Sequence, residues 1–202
     1  NDVVGTTSDP FTGVYDGDHY RISLGANTST ASLGWNYDSN GDSAGGYSSR
    51  EALFLAVDGG TIKRVRLTGE IRSSSTDVSG LVRNLYGGGL ISEVSSTVTI
   101  HVDDSNAVIG GLVSIMGDDG EDTGFPGSEA AFEDDPARIQ YSKYTGSIDW
   151  TDSGGSIEGP TIGGLVGQTW GTGLLEIRDS YAQARISYDS GVMNDDSSAV
   201  HA

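Results

Sequence analysis

The sequence predicts an all-β chain built as a single right-handed parallel β-helix, a β-solenoid. Three observations predict it: a ten-residue segment that recurs four times, alternation of small or apolar residues within it, and 31 glycines that imply many tight turns. The glycines have no triplet period and apolar residues still make up 35% of the chain, which sets it apart from collagen and from disordered sequence.

The recurring segments are "IKRVRLTGEI" from Ile62, "ISEVSSTVTI" from Ile91, "IQYSKYTGSI" from Ile139 and "IRDSYAQARI" from Ile177. Each opens and closes on isoleucine. Their fourth, sixth and eighth positions hold Val65, Leu67 and Gly69; Val94, Ser96 and Val98; Ser142, Tyr144 and Gly146; Ser180, Ala182 and Ala184. This is the period-2 pattern of a half-buried strand, and the three-residue step before it predicts a bend or bulge near the start. A helix would need apolar residues at three and four spacing throughout, and the β-branched content also disfavours it.

A shorter apolar unit precedes each segment: "ALFLAV" at Ala52, "SGLVRNL" at Ser79, "IGGLVSI" at Ile109 and "IGGLVGQ" at Ile162. The repeat is therefore a short apolar strand, a turn and a ten-residue strand. One such unit cannot bury its apolar face, whereas rungs stacked about 4.8 Å apart can, with like residues in ladders. Ile62, Ile91, Leu112, Ile139, Leu165 and Ile177 are the expected repeat core. Gly110, Gly111, Gly163 and Gly164 are expected at tight corners or where neighbouring rungs approach closely.

The 202 residues read as one solenoid domain. Residues 1–50 form an N-terminal capping region, 51–188 about four coils, and 189–202 a tail. An acidic insertion, 117–138, separates the second long segment from the third, and insertions of this kind map to loops on one face of a repeat protein and often carry binding. Because the chain starts with Asn1, we expect a mature, processed or excised piece of something longer, of exported origin.

Charge and composition narrow the partners. With 29 acidic residues against 11 basic ones the net charge is -18, so nucleic acid and anionic membrane surfaces would be repelled. Dense carboxylates also suit a saline setting, where the Debye length falls to about 3 Å at 1 M salt. No stretch approaches the roughly 18 apolar residues needed to span a bilayer, so no membrane insertion is expected. The absence of cysteine removes disulfides, thiolate zinc sites and cysteine nucleophiles.

Aligning the long segments also aligns their outward positions. The rows are Lys63, Ser92, Gln140, Arg178; Arg64, Glu93, Tyr141, Asp179; Arg66, Ser95, Lys143, Tyr181; Thr68, Thr97, Thr145, Gln183; and Glu70, Thr99, Ser147, Arg185. Arg64, Arg66, Lys143, Arg178 and Arg185 thus form a candidate self-association face, against which an acidic loop of another molecule could dock. Arg64, Arg66, Lys143 and Glu70 roughen the threonine row against ice binding. Trp170, Tyr181 and Tyr188 are candidate stacking surfaces for sugars.

Catalytic chemistry has little to build on. His19, His101 and His201 are far apart, and no spacing singles out a pair of carboxylates, so no enzyme activity is expected. Calcium is the one plausible cofactor, because it takes hard oxygen ligands from flexible loops. In "YDSNGDS" Asp38, Asn40 and Asp42 alternate as at the start of an EF-hand loop, but Ser43 replaces the glycine and Ser49 the bidentate glutamate. Asp118, Asp119, Glu121 and Asp122 form a second candidate, and Asn194, Asp195 and Asp196 a third.

The closing repeat resembles the GLUG repeat of bacterial and archaeal surface proteins, whose usual form is GGLVG, a turn, then I-x-N-S-Y-A-x-G-x-[IV]. Gly163, Gly164, Leu165, Val166 and Gly167 match, as do Ile177, Ser180, Tyr181, Ala182 and Ile186, while Asp179 and Ala184 replace asparagine and glycine. "DPFTGVYDGDHYRISL" from Asp9 and "ALFLAVDGGTIKRVRLTGEI" from Ala52 are similar to that family's opening segment and first coil. The resemblance implies a right-handed parallel β-helix at a cell surface, adhesive or structural, and brings no catalytic residues. The expected function is accordingly an extracellular or cell-surface structural or adhesive module. It would self-associate end to end or laterally, or bind other surface proteins. The alternative is a calcium-assisted glycan-binding module of a larger surface protein.

Overall fold

The computed structural model describes residues 4–6, 9–24, 51–117, 136–151, 159–170 and 175–189. They form a right-handed parallel β-solenoid, in which every strand pairing is parallel. A partial N-terminal rung holds β1 (Val14–Asp16) and β2 (Arg21–Leu24). The first coil holds β3 (Phe54–Asp58), β4 (Thr61–Lys63), β5 (Arg66–Ser73) and β6 (Asp77–Ser79). The second holds β7 (Val82–Tyr86), β8 (Leu90–Ser92), β9 (Ser95–Ser96), β10 (Thr99–Asp103) and β11 (Val108–Gly110). The third holds β12 (Val113–Gly117), β13 (Ala137–Gln140), β14 (Lys143–Tyr144), β15 (Ser147–Thr151) and β16 (Thr161–Gly163). The fourth holds β17 (Val166–Trp170), β18 (Leu175–Arg178), β19 (Tyr181–Ala182) and β20 (Arg185–Asp189).

Register follows the isoleucine ladders. Ile62 pairs with Ile91, Ile91 with Ile139 and Ile139 with Ile177. The closing isoleucines make a second column, Ile71, Ile100, Ile148 and Ile186. Leu112 sits between Leu81 and Leu165, its carbonyl accepting from Leu81 and Val82 while its N–H donates to Leu165 O at 3.0 Å. Ile62, Ile91, Leu112 and Ile139 are fully buried. Each such side chain removed from water contributes about 1.5–3 kcal/mol before entropy.

The ten-residue segment is not one bent strand. From the second coil onward it divides into three short strands, as in β8, β9 and β10, whereas β5 runs unbroken through the second break and pairs with both β9 and β10. The first break is the expected bend, and its cause is backbone conformation. Arg64, Glu93, Tyr141 and Asp179, each the third residue of its segment, have φ of 55°, 55°, 51° and 47°. The N–H groups of Arg64, Glu93 and Tyr141 donate to Ser92, Gln140 and Arg178 carbonyls of the next rung at 3.0, 3.2 and 3.1 Å, so the corner itself is laddered.

A left-handed conformation costs a residue with Cβ about 1–2 kcal/mol, less for asparagine, whose short side chain bonds locally. Tyr141→Asn is therefore expected to raise stability by about 0.5–1 kcal/mol, read as a shift in denaturation midpoint. A lowered midpoint would mean that the tyrosine ring stabilises the corner more than its backbone strains it.

Serine completes this corner. Ser142 is buried, donates from Oγ to Gln140 O at 2.8 Å and accepts from the Val94 N–H at 3.1 Å; Ser180 repeats the arrangement with Arg178 O and the Ser142 N–H. A hydroxyl at this position thus joins its own strand end to the preceding rung.

The short apolar unit is also divided, because Ile109–Gly110 and Ile162–Gly163 belong to the small sheet β6–β11–β16, while Val113 and Val166 open strands of another. The diglycine lies at the corner between them. A Cβ on Gly111 would run into the Gly164 carbonyl and the Tyr144 ring, and one on Gly110 into the Val113 carbonyl. Gly110 is thus required by the tightness of its own corner, and Gly111 by the close approach of rungs.

Candidate functional site

The strand pairings place the outward side chains in columns that run along the solenoid axis, about 4.8 Å per rung. One column is Lys63, Ser92, Gln140 and Arg178, begun by Asp16 of the N-terminal rung. Past the left-handed corner lies Arg21, Arg66, Ser95, Lys143 and Tyr181. Beyond the next break come Glu70, Thr99, Ser147 and Arg185, then Arg72, His101, Asp149 and Ser187. The candidate residues therefore lie on both sides of the left-handed corner, not on one flat face: Arg178 before it, Arg64 at it, and Arg66, Lys143 and Arg185 along the eight-stranded sheet beyond it.

Ion pairing separates these cations into two groups. At the corner Arg64 donates from Nε to Asp16 Oδ1 at 2.8 Å and from its terminal nitrogen to Asp16 Oδ2, and it lies 3.7 Å from Asp18. Lys63 adds a 3.5 Å contact to Asp16. The Arg64 guanidinium, with help from the Asp18 amide, holds the Asp16 carboxyl well below the usual carboxylate range. Arg64 thus ties the partial rung to the first coil. Arg178 pairs with Glu176, which also lies 3.5 Å from Arg138.

Further along the eight-stranded sheet, Arg185 apart, charges are again paired. Arg72 pairs with Glu70, and His101 stands between two carboxylates, Nε2 at 3.1 Å from Glu70 and Nδ1 at 3.3 Å from Asp149. Ser187 donates to the other oxygen of Asp149. This order puts the serine on the carboxylate and away from the imidazole, so it lacks the nucleophile–base contact of a hydrolytic triad.

Among the described residues, Arg66 and Lys143 have no carboxylate within ion-pair reach, and neither do Arg21 and Arg185. Arg21, Arg66 and Lys143 share one column, with Ser23 and Thr68 aligned on the same facet. Arg21 was not among the residues singled out from the sequence. Its signal was there, since "RISL" from Arg21 aligns with "RLTG" from Arg66.

Two aromatics of the surface differ in kind. Tyr181 is 53% exposed and points outward, beside Lys143; Tyr141, at the corner one coil earlier, is 61% exposed. Tyr188 lies in the inward column and stacks on Trp150 at 4.5 Å and 17° between planes, so one of its faces is already taken. Trp170 is half-buried at the end of β17. Asp38, Asn40, Asp42, Asp118, Asp119, Glu121 and Asp122 lie outside the described residues, as do Asn194, Asp195 and Asp196. Among the described residues no cluster of three or more histidines or carboxylates could hold a metal ion.

Comparison of the chain with protein-family models, with curated proteins and with solved structures finds no match.

Proposed function

We propose that this chain is a structural, adhesive module of an extracellular or cell-surface assembly, without enzymatic activity, and that it self-associates through the Arg21–Arg66–Lys143 column. The observation that carries this reading is a line of cations without carboxylate partners among the described residues, on a chain of net charge -18. Arg21 and Arg66 lie on adjacent rungs and repel unless an anion lies between them, with Lys143 two rungs further on past Ser95, and acidic segments such as residues 117–138 of a second molecule supply that anion. The resemblance of the closing repeat to GLUG repeats supports the same setting.

The test is Arg66→Ser together with Lys143→Ser, leaving Arg64 in place because it holds Asp16. Each exposed pair contributes about 0.2–1 kcal/mol, so self-association is expected to weaken roughly three- to tenfold at low salt, measured by sedimentation. Unchanged association would remove the column from the assembly mode. A second reading, a glycan-binding module, is favoured by the exposed rings of Tyr141 and Tyr181 on adjacent coils, which offer apolar faces with polar tips. Retention of the protein on a glycan surface, calcium-dependent or not, in place of self-association would select it.

A further inference from the structure

The fourth coil shows its core. Ile177 is 47% exposed, whereas Ile62, Ile91 and Ile139 of the same column are fully buried. Leu165, Val166 and Ile186 are likewise half-buried where their counterparts one coil earlier, Leu112, Val113 and Ile148, are fully covered. Among the described residues no strand pairs with the outer edges of β18, β19 or β20, nor with the outer edges of β1 and β2 at the other end.

We propose that the fourth coil of one copy receives the N-terminal rung of a second copy as its next rung. The inference deepens the structural reading above by naming the partner and the register. The two edges of a parallel sheet are complementary in hydrogen bonding, so copies can add head to tail, and a contact of this kind repeats into an open filament. Continuing the columns by one rung sets the pairs. Asp16 of the second copy falls on Arg178, repeating the Asp16–Lys63 contact at the opposite end of the same column. Arg21 of the second copy falls on Tyr181, where a guanidinium over an exposed ring is attracted to its face. Tyr15 and Ile22, both half-buried in one copy, fall on Ile177 and Ala182 and extend the inward columns. Val14 falls beside Glu176 and adds no attraction.

The absence of cysteine makes the register directly testable. In Val14→Cys/Glu176→Cys the two thiols of one copy are four rungs apart, about 19 Å, too far for a bond within the chain. Across the proposed junction the Cα atoms are about 4.8 Å apart, within the span of a disulfide. Mild oxidation of the full chain is expected to give a ladder of dimers, trimers and higher species on a non-reducing gel, while each single variant stops at the dimer. Adding Arg178→Glu is expected to slow ladder formation about tenfold or more by placing like charges together. Adding Arg66→Ser and Lys143→Ser should leave the ladder unchanged, which separates this contact from the lateral one. A double variant that stays monomeric overturns the proposal. So does a monomeric Glu176→Cys chain whose thiol resists alkylation, because residues of the same chain, such as 190–202, would then cover the edge.

Discussion

Tyr144→Ala is expected to lower the unfolding free energy by about 3–5 kcal/mol, the range for deleting a large buried aromatic. Tyr144 has no exposed surface and occupies the inward column Leu67, Ser96, Tyr144, Ala182, between two small residues that leave it room. Its ring reaches across to the Gly111 corner, and a Cβ on Gly146 would stand 2.9 Å from it. Because Ser96 and Ala182 cannot expand, the vacated volume stays largely open, which places the cost near the upper end. The hydroxyl contributes separately, lying 2.9 Å from Val98 O and 2.8 Å from Ser147 O, so a single proton serves two buried carbonyls. Burial pushes the phenol pKa well up, keeping it a donor at any physiological pH. Tyr144→Phe should accordingly cost about 0.5–1.5 kcal/mol by removing those hydrogen bonds, and denaturant midpoints of the two variants would divide packing from hydrogen bonding. Equal midpoints for Tyr144→Phe and the parent would mean that water satisfies the carbonyls.

Gly111→Ala is expected to be at least as damaging, about 3 kcal/mol or more, although it adds a single methyl group. The obstruction is double. A flexible side chain could yield, but the Gly164 carbonyl belongs to the backbone of the next coil and moves only if the coils separate. The third and fourth coils should come apart first, with faster hydrogen exchange in β17 to β20 than in β7 to β11, because repeat arrays lose stability one interface at a time. Combining Gly111→Ala with Tyr144→Ala removes one obstacle and leaves the other, so the double variant should be less unstable than the sum of the two. Gly159→Ala is the matched control, since nothing lies within 4 Å of a Cβ there, and a change within about 0.5 kcal/mol is expected. Full additivity in the double variant would show that Gly111 and Tyr144 do not share the space.

What the sequence by itself determined was the set of columns. Isoleucines at both ends of each ten-residue segment, with alternation between them, admit one register, because a shift by one residue would turn every buried side chain outward. The ladders Ile62–Ile91–Ile139–Ile177 and Ile71–Ile100–Ile148–Ile186 follow from that alone, and so do the outward rows of arginine, lysine and threonine. The bend was legible as a three-residue step, but its left-handed backbone was not, since arginine, glutamate and tyrosine give no local signal for positive φ.

Only the tertiary structure decided which cations are engaged. Arg64 and Arg66 are two residues apart and both polar, yet one grips Asp16, 48 positions earlier, and the other meets no carboxylate among the described residues. The difference arises at the corner, where the left-handed turn of Arg64 aims its side chain toward the N-terminal rung while Arg66 remains on the next facet. In a solenoid each side chain takes most of its neighbours from the rungs above and below, a whole coil away along the chain. Spacing within a segment therefore fixes the face a residue occupies, and the adjacent coils fix what it meets there.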